Sequence, residues 1–222
     1  MHSAISCTVK DLGLISYQEA YRLQKEKLTQ ITEELTCEFF LCEHFSVITL
    51  GRLSKQENIL FSEDEIKSKG IEIQKVDRGG DVTYHAPGQL IVYPIFPLLH
   101  FGKDLKKFIS NLEQVVIDLL GYFGILASRK EGRTGVWVGL KKIASIGIGV
   151  KKWISFHGVG LNVSTDLKDF LLIRPCGLDI EMTSMENELK KQISMQEVKK
   201  QIIISFKNIF NLEIRENGNE KY

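Results

Sequence analysis

The stretch Arg78-Gly79-Gly80-Asp81-Val82-Thr83-Tyr84-His85-Ala86-Pro87-Gly88-Gln89-Leu90 constrains the fold more than any other part of the chain. Gly79-Gly80 permits backbone angles and close approaches that a side chain forbids. Arg78 and His85 place polar chemistry on either side of that bare backbone. Pro87-Gly88 turns the chain, and Leu90-Ile91-Val92-Tyr93 reads as a buried strand. Upstream, Ile71-Glu72-Ile73-Gln74-Lys75-Val76 alternates strictly and predicts a half-buried strand. The run is therefore expected to be a polar, glycine-rich loop fixed at both ends by sheet strands.

The elements around it do not alternate regularly. Ser16-Tyr17-Gln18-Glu19 has the form of a capping box. It opens an amphipathic helix to about Glu34, with Ala20, Leu23, Leu28 and Ile31 at helical spacing. Cys37 to Leu41 and Ser46 to Leu50 read as two neighbouring strands with a short turn at Glu43-His44. Arg52, after the second, is either a solvated turn residue or a substrate-side group; the residues alone do not choose. Ser62 to Lys69 predicts a short helix, with Glu63, Asp64 and Glu65 at its positive end. Asp104 to Phe123 predicts a longer one, with Leu105, Phe108, Leu112, Val115, Val116 and Leu119 inward. A polar connector follows from Gly124 to Arg133. Gly135 to Val138, Ile143 to Val150 and Trp153 to Val163 read as strands, the last two joined by a turn at 149–152. Thr183 to Lys191 reads as a short helix. Ser194-Met195-Gln196-Glu197 is a second capping box, opening a helix to about Phe210. Residues 211–222 are expected to fray. Such an order argues against a doubly wound parallel sheet. The predicted fold class is α+β: a single domain over 1–222, with a mixed or antiparallel central sheet flanked by helices.

Composition narrows the function classes. A chain of 222 residues can bury a substantial core. Its net charge of +1 leaves any basic patch local. Met1 to Gly13 does not read as a signal peptide, and no apolar run approaches the ~20 residues needed to span a bilayer. The expectation is a reduced, cytoplasmic or organelle-matrix protein without a membrane partner. The cysteines, Cys7, Cys37, Cys42 and Cys176, form no CxxC pair and no zinc-ligand spacing with histidine. Their even number leaves a disulfide open, although the default for each is a buried small hydrophobe. The chain has no phosphate loop, no Gly-x-Gly-x-x-Gly after a strand, no His-Glu-x-x-His and no Gly-x-Ser-x-Gly. Lys151-Lys152-Trp153 is too little basic surface for nucleic acid. No cofactor, metal or nucleic-acid partner is expected.

Two residues stand out chemically. Cys176 lies in Ile173-Arg174-Pro175-Cys176-Gly177, between a rigid proline and a glycine and two residues from a cation. The other cysteines sit in apolar or strand-like contexts. Lys142 opens the small, apolar strand Ile143-Ala144-Ser145-Ile146-Gly147, where a lysine is partly desolvated. Lys141 would face the opposite side of that strand, and the residues alone do not decide between them. A cysteine is only a few per cent thiolate at neutral pH, and a nearby ammonium favours the anion. His85 and His157 each lie beside a glycine turn, and the sequence does not say whether either moves a proton. Backbone amides of those turns are candidate oxyanion donors.

The pattern Arg-Gly-Gly-x-x-Thr-Tyr-His-x-x-Gly-Gln-x-x-x-Tyr, Arg78 to Tyr93 here, resembles the signature of lipoate-biosynthesis octanoyltransferases, relatives of the lipoate and biotin protein ligases. Lys142 to Gly147, Phe156-His157-Gly158-Val159-Gly160-Leu161-Asn162 and Arg174-Pro175-Cys176-Gly177 match the same family in the same order. The resemblance implies a ligase-like fold and a strand hairpin (Cys37 to Leu50) beside the substrate cleft. It implies Cys176 as nucleophile and Lys142 as its acid/base partner. It carries over Arg78, Gly79, Gly80, Asp81, Val82, Thr83, Tyr84 and His85 as substrate-contacting. It does the same for Ser145, Ile146, Gly147, His157, Gly158, Val159 and Gly160. The implied reaction moves an octanoyl group from acyl carrier protein, through a Cys176 thioester, to a lysine of a lipoyl domain. The implied acceptors are lipoyl domains of 2-oxoacid dehydrogenases and the glycine cleavage H protein. Two alternatives are an ATP-dependent lipoate or biotin ligase on the same fold and a non-catalytic acyl-binding module.

Overall fold

The apolar runs of the chain build two sheets in the computed structural model, which describes residues 4–31, 36–174 and 180–215. The larger contains β1 (Ile5–Ile15), β2 (Thr36–His44), β6 (Gln89–Ile95), β7 (Ser128–Lys130), β8 (Arg133–Val138), β9 (Lys141–Lys151), β10 (Ile154–Asn162) and β11 (Leu212–Arg215). Its order is β11-β1-β2-β6-β10-β9-β8-β7. The strand β1 runs parallel to both neighbours, and every other pair is antiparallel. The smaller sheet joins β4 (Glu72–Lys75), β3 (Val47–Leu50) and β5 (Val82–His85) in the order β4-β3-β5. The helices are α1 (Tyr17–Gln30), α2 (Glu63–Ser68), α3 (Leu105–Tyr122), α4 (Met185–Leu189) and α5 (Met195–Phe210). This is the predicted α+β class with a mixed central sheet. None of the described helices is long and apolar enough to cross a membrane.

Packing follows the sequence pattern. One face of the large sheet buries Phe39, Leu41, Leu90 and Val92 against Phe108, Leu112 and Leu119 of α3 and Ile202 and Phe206 of α5. The other face buries Phe40, Cys42, Ile91 and Tyr93 against Ala20 of α1. Both β2 and β6 are covered on both faces, which is why they read as continuous apolar runs. A third cluster fills the small sheet, with Ile48, Val82 and Tyr84 against Ile66, Phe170 and Leu172. The side chain of Ser16 caps α1, and the capping box at Ser62 closes on Glu65.

Several expectations need correction. The strands at Cys37–Leu41 and Ser46–Leu50 are not a hairpin. Both edges of β2 are already taken, by β1 and β6, so β3 leaves to found the small sheet. Val82–His85, expected as loop, is the strand β5, paired with β3. Residues 128–130 of the expected connector pair with β8. Leu105 is 40% exposed rather than inward, because it opens the first turn of α3. The β9–β10 turn sits at Lys152 and Trp153, with Lys151 opposite Ile154. Both turn residues have positive φ, 50° and 62°, as a two-residue hairpin turn requires. The tail does not fray from 211. Leu212 is buried, and Leu212–Arg215 pair with β1; residues 216–222 lie outside the described residues. The strand β1 was not anticipated, although Cys7 and Val9 alternate onto the core.

The anchor of β1 is electrostatic as well as apolar. Lys199 of α5 is buried and donates to both carboxylate oxygens of Asp11, at 2.9 and 2.7 Å. Removing one partner of such a pair strands the other in a poorly solvated place. Lys199→Met should therefore lower the unfolding free energy by about 3–5 kcal/mol. Adding Asp11→Asn should recover part of the loss. Urea denaturation of the three proteins measures this; a wild-type midpoint for Lys199→Met would show that the pair contributes nothing to stability.

Candidate active site

The glycine loop is tied down by its own arginine. The Arg78 guanidinium is buried and donates to the Thr49 carbonyl at 2.8 Å and the Thr49 hydroxyl at 2.9 Å. A further N–H donates to the Gly79 carbonyl at 3.0 Å. Backbone N–H groups of Gly51, Arg52 and Leu53 donate to the carbonyls of Asp81, Arg78 and Gly80. The Gly79 N–H donates to the Ile148 carbonyl at 2.8 Å, joining the loop to β9. A Cβ on Gly51 would lie 2.4 Å from the Gly80 carbonyl oxygen, and one on Gly147 would lie 2.9 Å from that of Gly79. Close approach of three backbones is what these glycines provide.

Beneath the loop is a cavity of about 440 Å³, walled by β9 and β10 on one side and the Arg78–His85 segment on the other. It collects Lys142 and, apart from Tyr84, every residue carried over as substrate-contacting: Arg78 to Thr83, His85, Ser145 to Gly147 and His157 to Gly160. Tyr84 points the other way. Alternation along β5 turns it from Thr83 and His85 toward the small sheet's core. There its hydroxyl meets Ser46 at 3.1 Å and Asp169 at 3.2 Å, and its ring meets Phe170 edge-on. Arg52 is exposed and does not line the cavity. Sequence reasoning missed Tyr17, Ile91, Tyr93, Trp137 and Ile180 among the wall residues. Tyr93 closes the quoted motif and was legible there; the others look like ordinary core residues.

The cavity wall carries a network of hydrogen-bonded polar groups. Asn162 donates its amide N–H to the Thr183 carbonyl at 2.9 Å, so its oxygen faces Gln89. Gln89 then donates to that oxygen at 2.7 Å and presents its own oxygen to His85 Nδ1, also at 2.7 Å. The proton of His85 is thereby placed on Nδ1, and Nε2 faces the Thr49 hydroxyl at 3.5 Å. His44 donates from Nδ1 to the Ile15 carbonyl and accepts from the Tyr93 hydroxyl at 2.7 Å. Burial pushes His85 down to about 3 and His44 down to about 4. Both rings are therefore neutral at neutral pH. His157, with φ 55°, bonds Asp77 through Nε2 at 2.9 Å and meets the Tyr17 hydroxyl at Nδ1, 3.3 Å away. Burial lowers His157 against the opposing pull of Asp77. The His157 hydrogen bond, with help from Lys25, holds the Asp77 carboxyl well below the usual range.

The lysine enters the wall from the start of β9. Lys142 is 3% exposed. Its N–H donates to the Glu181 carbonyl at 2.8 Å, and its carbonyl accepts from the Thr183 N–H at 2.9 Å. The ammonium lies 5.5 Å from the Trp137 ring centroid, within cation–π range. Gly135, at φ 128°, clears the path: a Cβ there would sit 2.5 Å from Lys142 Cε. Lys141 points to solvent and pairs with Glu181 at 2.6 Å. Of the two lysines, Lys142 lines the cavity and Lys141 does not. A buried ammonium in such a wall can stabilise a neighbouring anion and exchange a proton with it.

Cys176 lies outside the described residues. The chain on either side of 175–179 is described: the Arg174 N–H donates to the Asn58 carbonyl at 2.8 Å, and Ile180 lines the cavity. Cys7, Cys37 and Cys42 are free, buried thiols, and burial pushes each well above the ordinary thiol range. None of the three lines the cavity. Among the described residues no cluster of three His, Cys, Asp or Glu side chains is arranged to hold a metal.

Comparison with known proteins agrees with this geometry. Residues 16–207 match the lipoyl protein ligase A/B catalytic domain family. An octanoyltransferase from Maridesulfovibrio salexigens is 45% identical over 202 residues, covering 90% of this chain and 94% of that protein. One from Caldicellulosiruptor saccharolyticus is 44% identical over 209 residues, covering 92% and 88%. The bipartite lipoate protein ligase of Thermoplasma acidophilum superposes with a TM-score of 0.77 at 16% identity, covering 97% of this chain and 87% of that one. A lipoate-protein ligase A bound with ATP gives 0.76 at 15% identity, covering 97% and 89%. With that span matched and that identity shared, the chain belongs to the lipoyl protein ligase A/B catalytic domain family, among its octanoyltransferases.

Proposed function

We propose that the octanoyl group comes from acyl carrier protein, rests as a thioester on Cys176, and passes to a lysine amine of a lipoyl domain, with Lys142 moving the protons. The carrying observation is Lys142: a buried ammonium held in the wall of an apolar-lined cavity, in a chain of the octanoyltransferase family. In the first step Lys142 favours the Cys176 thiolate. The thiolate attacks the carrier thioester, a carbon–sulfur bond to Cys176 forms, and the bond to the carrier sulfur breaks. The proton taken from Cys176 goes to the departing carrier thiolate. In the second step the acceptor amine attacks, the Cys176 bond breaks and an amide forms. Lys142 donates a proton to the departing cysteine sulfur and takes up the amine proton in its place. Exchange between thioesters is nearly balanced, whereas amide formation from a thioester is downhill. Neither step needs a nucleotide.

An ATP-dependent ligase is the second reading, favoured by the superposition on a ligase bound with ATP. It would use Lys142 without a covalent cysteine. Intact mass after incubation with octanoyl carrier protein, without ATP, separates the two. One octanoyl mass should be added, free carrier thiol should appear, and neutral hydroxylamine should remove the adduct. Cys176→Ala should abolish adduct and turnover. Replacing Cys7, Cys37 and Cys42 together should leave the adduct in place. A strict ATP requirement, or near wild-type turnover by Cys176→Ala, would move the assignment to the ligase; a bound acyl thioester that never releases thiol would make the protein a binding module.

The lysine assignment has its own test. Lys142→Met removes the ammonium, so Cys176 should be alkylated by iodoacetamide only at higher pH than in the wild type. Lys141→Met removes an exposed charge paired with Glu181 and should leave the profile in place. An unchanged Cys176 profile in Lys142→Met would remove the proton-transfer role proposed for it.

A further inference from the structure

We propose that Glu113 is a positioning residue of the transfer: from the middle of α3 its carboxylate holds Gly135, and Gly135 sets the path of the Lys142 side chain. The proposal rests on the reading above in which Lys142 moves the protons. Glu113 does not line the cavity. It is 7% exposed and shares the buried side of α3 with Leu112 and Val116. A carboxylate is rarely buried unless partners offset its desolvation. Here Oε1 accepts the Gly135 N–H at 3.0 Å, and Oε2 accepts from Arg129 Nε at 3.1 Å. Arg129 is itself tied to α3, donating to the Ser110 carbonyl at 2.7 Å and to Gln114 at 2.9 Å.

The carboxylate answers a local irregularity of the sheet. The β7–β8 ladder shifts between Ser128 and Lys130, and the β8–β9 ladder shifts between Val136 and Trp137. Gly135 falls between these registers, and its N–H turns to the helix. Toward β9, one step of β8, Val136 to Trp137, spans two of β9, Ala144 to Lys142. Ile143 is the extra residue, and the strand bulges there, as strands do beside active sites to re-aim a side chain. Residues three apart on a regular strand face opposite ways. Yet Lys142 and Ser145 both line the cavity, while Ile143 and Ala144 both pack in the core with Leu112 and Val116. The bulge therefore turns Lys142 into the cavity. Gly135 lies against it: a Cβ there would sit 2.7 Å from the Ala144 carbonyl oxygen and 3.1 Å from Lys142 Nζ. Held by Glu113, the Gly135 backbone is a fixed wall along the lysine. Without that acceptor a buried N–H loses its partner, and the wall is free to shift.

Two substitutions with opposite properties test this. Glu113→Asp keeps the charge beside Arg129 but withdraws the acceptor from Gly135 by about 1.5 Å, one carbon–carbon bond. Glu113→Gln loses the charge, but its oxygen can still accept the Gly135 N–H while Arg129 keeps Ser110 and Gln114. Glu113→Asp should lower kcat for octanoyl transfer by about 10- to 10²-fold, the cost of a misplaced group, with KM near wild type. Glu113→Gln should restore most of kcat. Lys142 is followed directly through its ε-CH₂ signal in the ¹H–¹³C spectrum, assigned by its loss in Lys142→Met and marked by the ring current of Trp137 beside it. That signal should move toward those of exposed lysines in Glu113→Asp and stay in place in Glu113→Gln. A kcat for Glu113→Asp within twofold of wild type, or an unmoved lysine signal in it, would overturn the proposal. So would a loss in Glu113→Gln as deep as in Glu113→Asp, since charge rather than the bond to Gly135 would then matter. Turnover of Lys142→Met is measured alongside. A wild-type rate there would remove the proton-transfer reading of Lys142, whereas the lysine signal would still report whether Glu113 places it.

Discussion

The site depends on one seam between two sheets. The Gly79 N–H reaches the Ile148 carbonyl of the large sheet, while Arg78 is locked to Thr49 of the small one. The peptide contacts depend on Gly51 and Gly147, where a Cβ would lie 2.4 and 2.9 Å from carbonyl oxygens of the loop. A guanidinium in this place does more than carry charge. Its several donors satisfy a carbonyl and a hydroxyl of one strand and the carbonyl of its own loop, so a bulky cation becomes a brace. The cavity is the space left under that brace. Its roof is the Arg78–His85 segment and its floor is β9 and β10.

The same frame explains why Lys142 is chemically distinct from Lys141. Both belong to β9, and strand alternation sends them to opposite faces. Lys141 reaches solvent and Glu181, whereas Lys142 enters the wall past Gly135 and beside Trp137. A side chain on Gly135 would collide with the lysine stem and with the Ala144 carbonyl oxygen, 2.5 and 2.7 Å away. The glycine thus serves the position of a functional group on the next strand, and its φ of 128° suits glycine alone.

Much of this was legible in the residues. The strands β6, β9 and β10, the helices α1, α3 and α5 and the cavity-facing glycine turns were marked by periodicity, capping boxes and motif. What stayed hidden was non-local. The small sheet could not be read, because nothing in Ser46–Leu50 says that both edges of β2 are already occupied. The strand β1 was overlooked because its alternation is short and mixed with Lys10 and Asp11, and Asp11 makes sense only once Lys199 is seen beside it. Leu212–Arg215 looked like a tail because its partner, β1, lies at the far end of the sequence. Trp137 read as a core aromatic, and in burial it is one.

The sequence left open whether His85 or His157 moves a proton, and the geometry bears on that question. Each ring nitrogen of the two already has a neighbour: Gln89 and Thr49 for His85, Tyr17 and Asp77 for His157. Burial also lowers both rings, so neither readily accepts a proton near neutral pH. In register His157 stands opposite Ile148, six residues along β9 from Lys142. At strand rise that is about 20 Å. A proton carrier must be within hydrogen-bond reach of the atom it serves, and His157 is out of reach of chemistry at Lys142. The two histidines therefore line the cavity as hydrogen-bonded, neutral rings, and His157 stands far along β9 from the lysine.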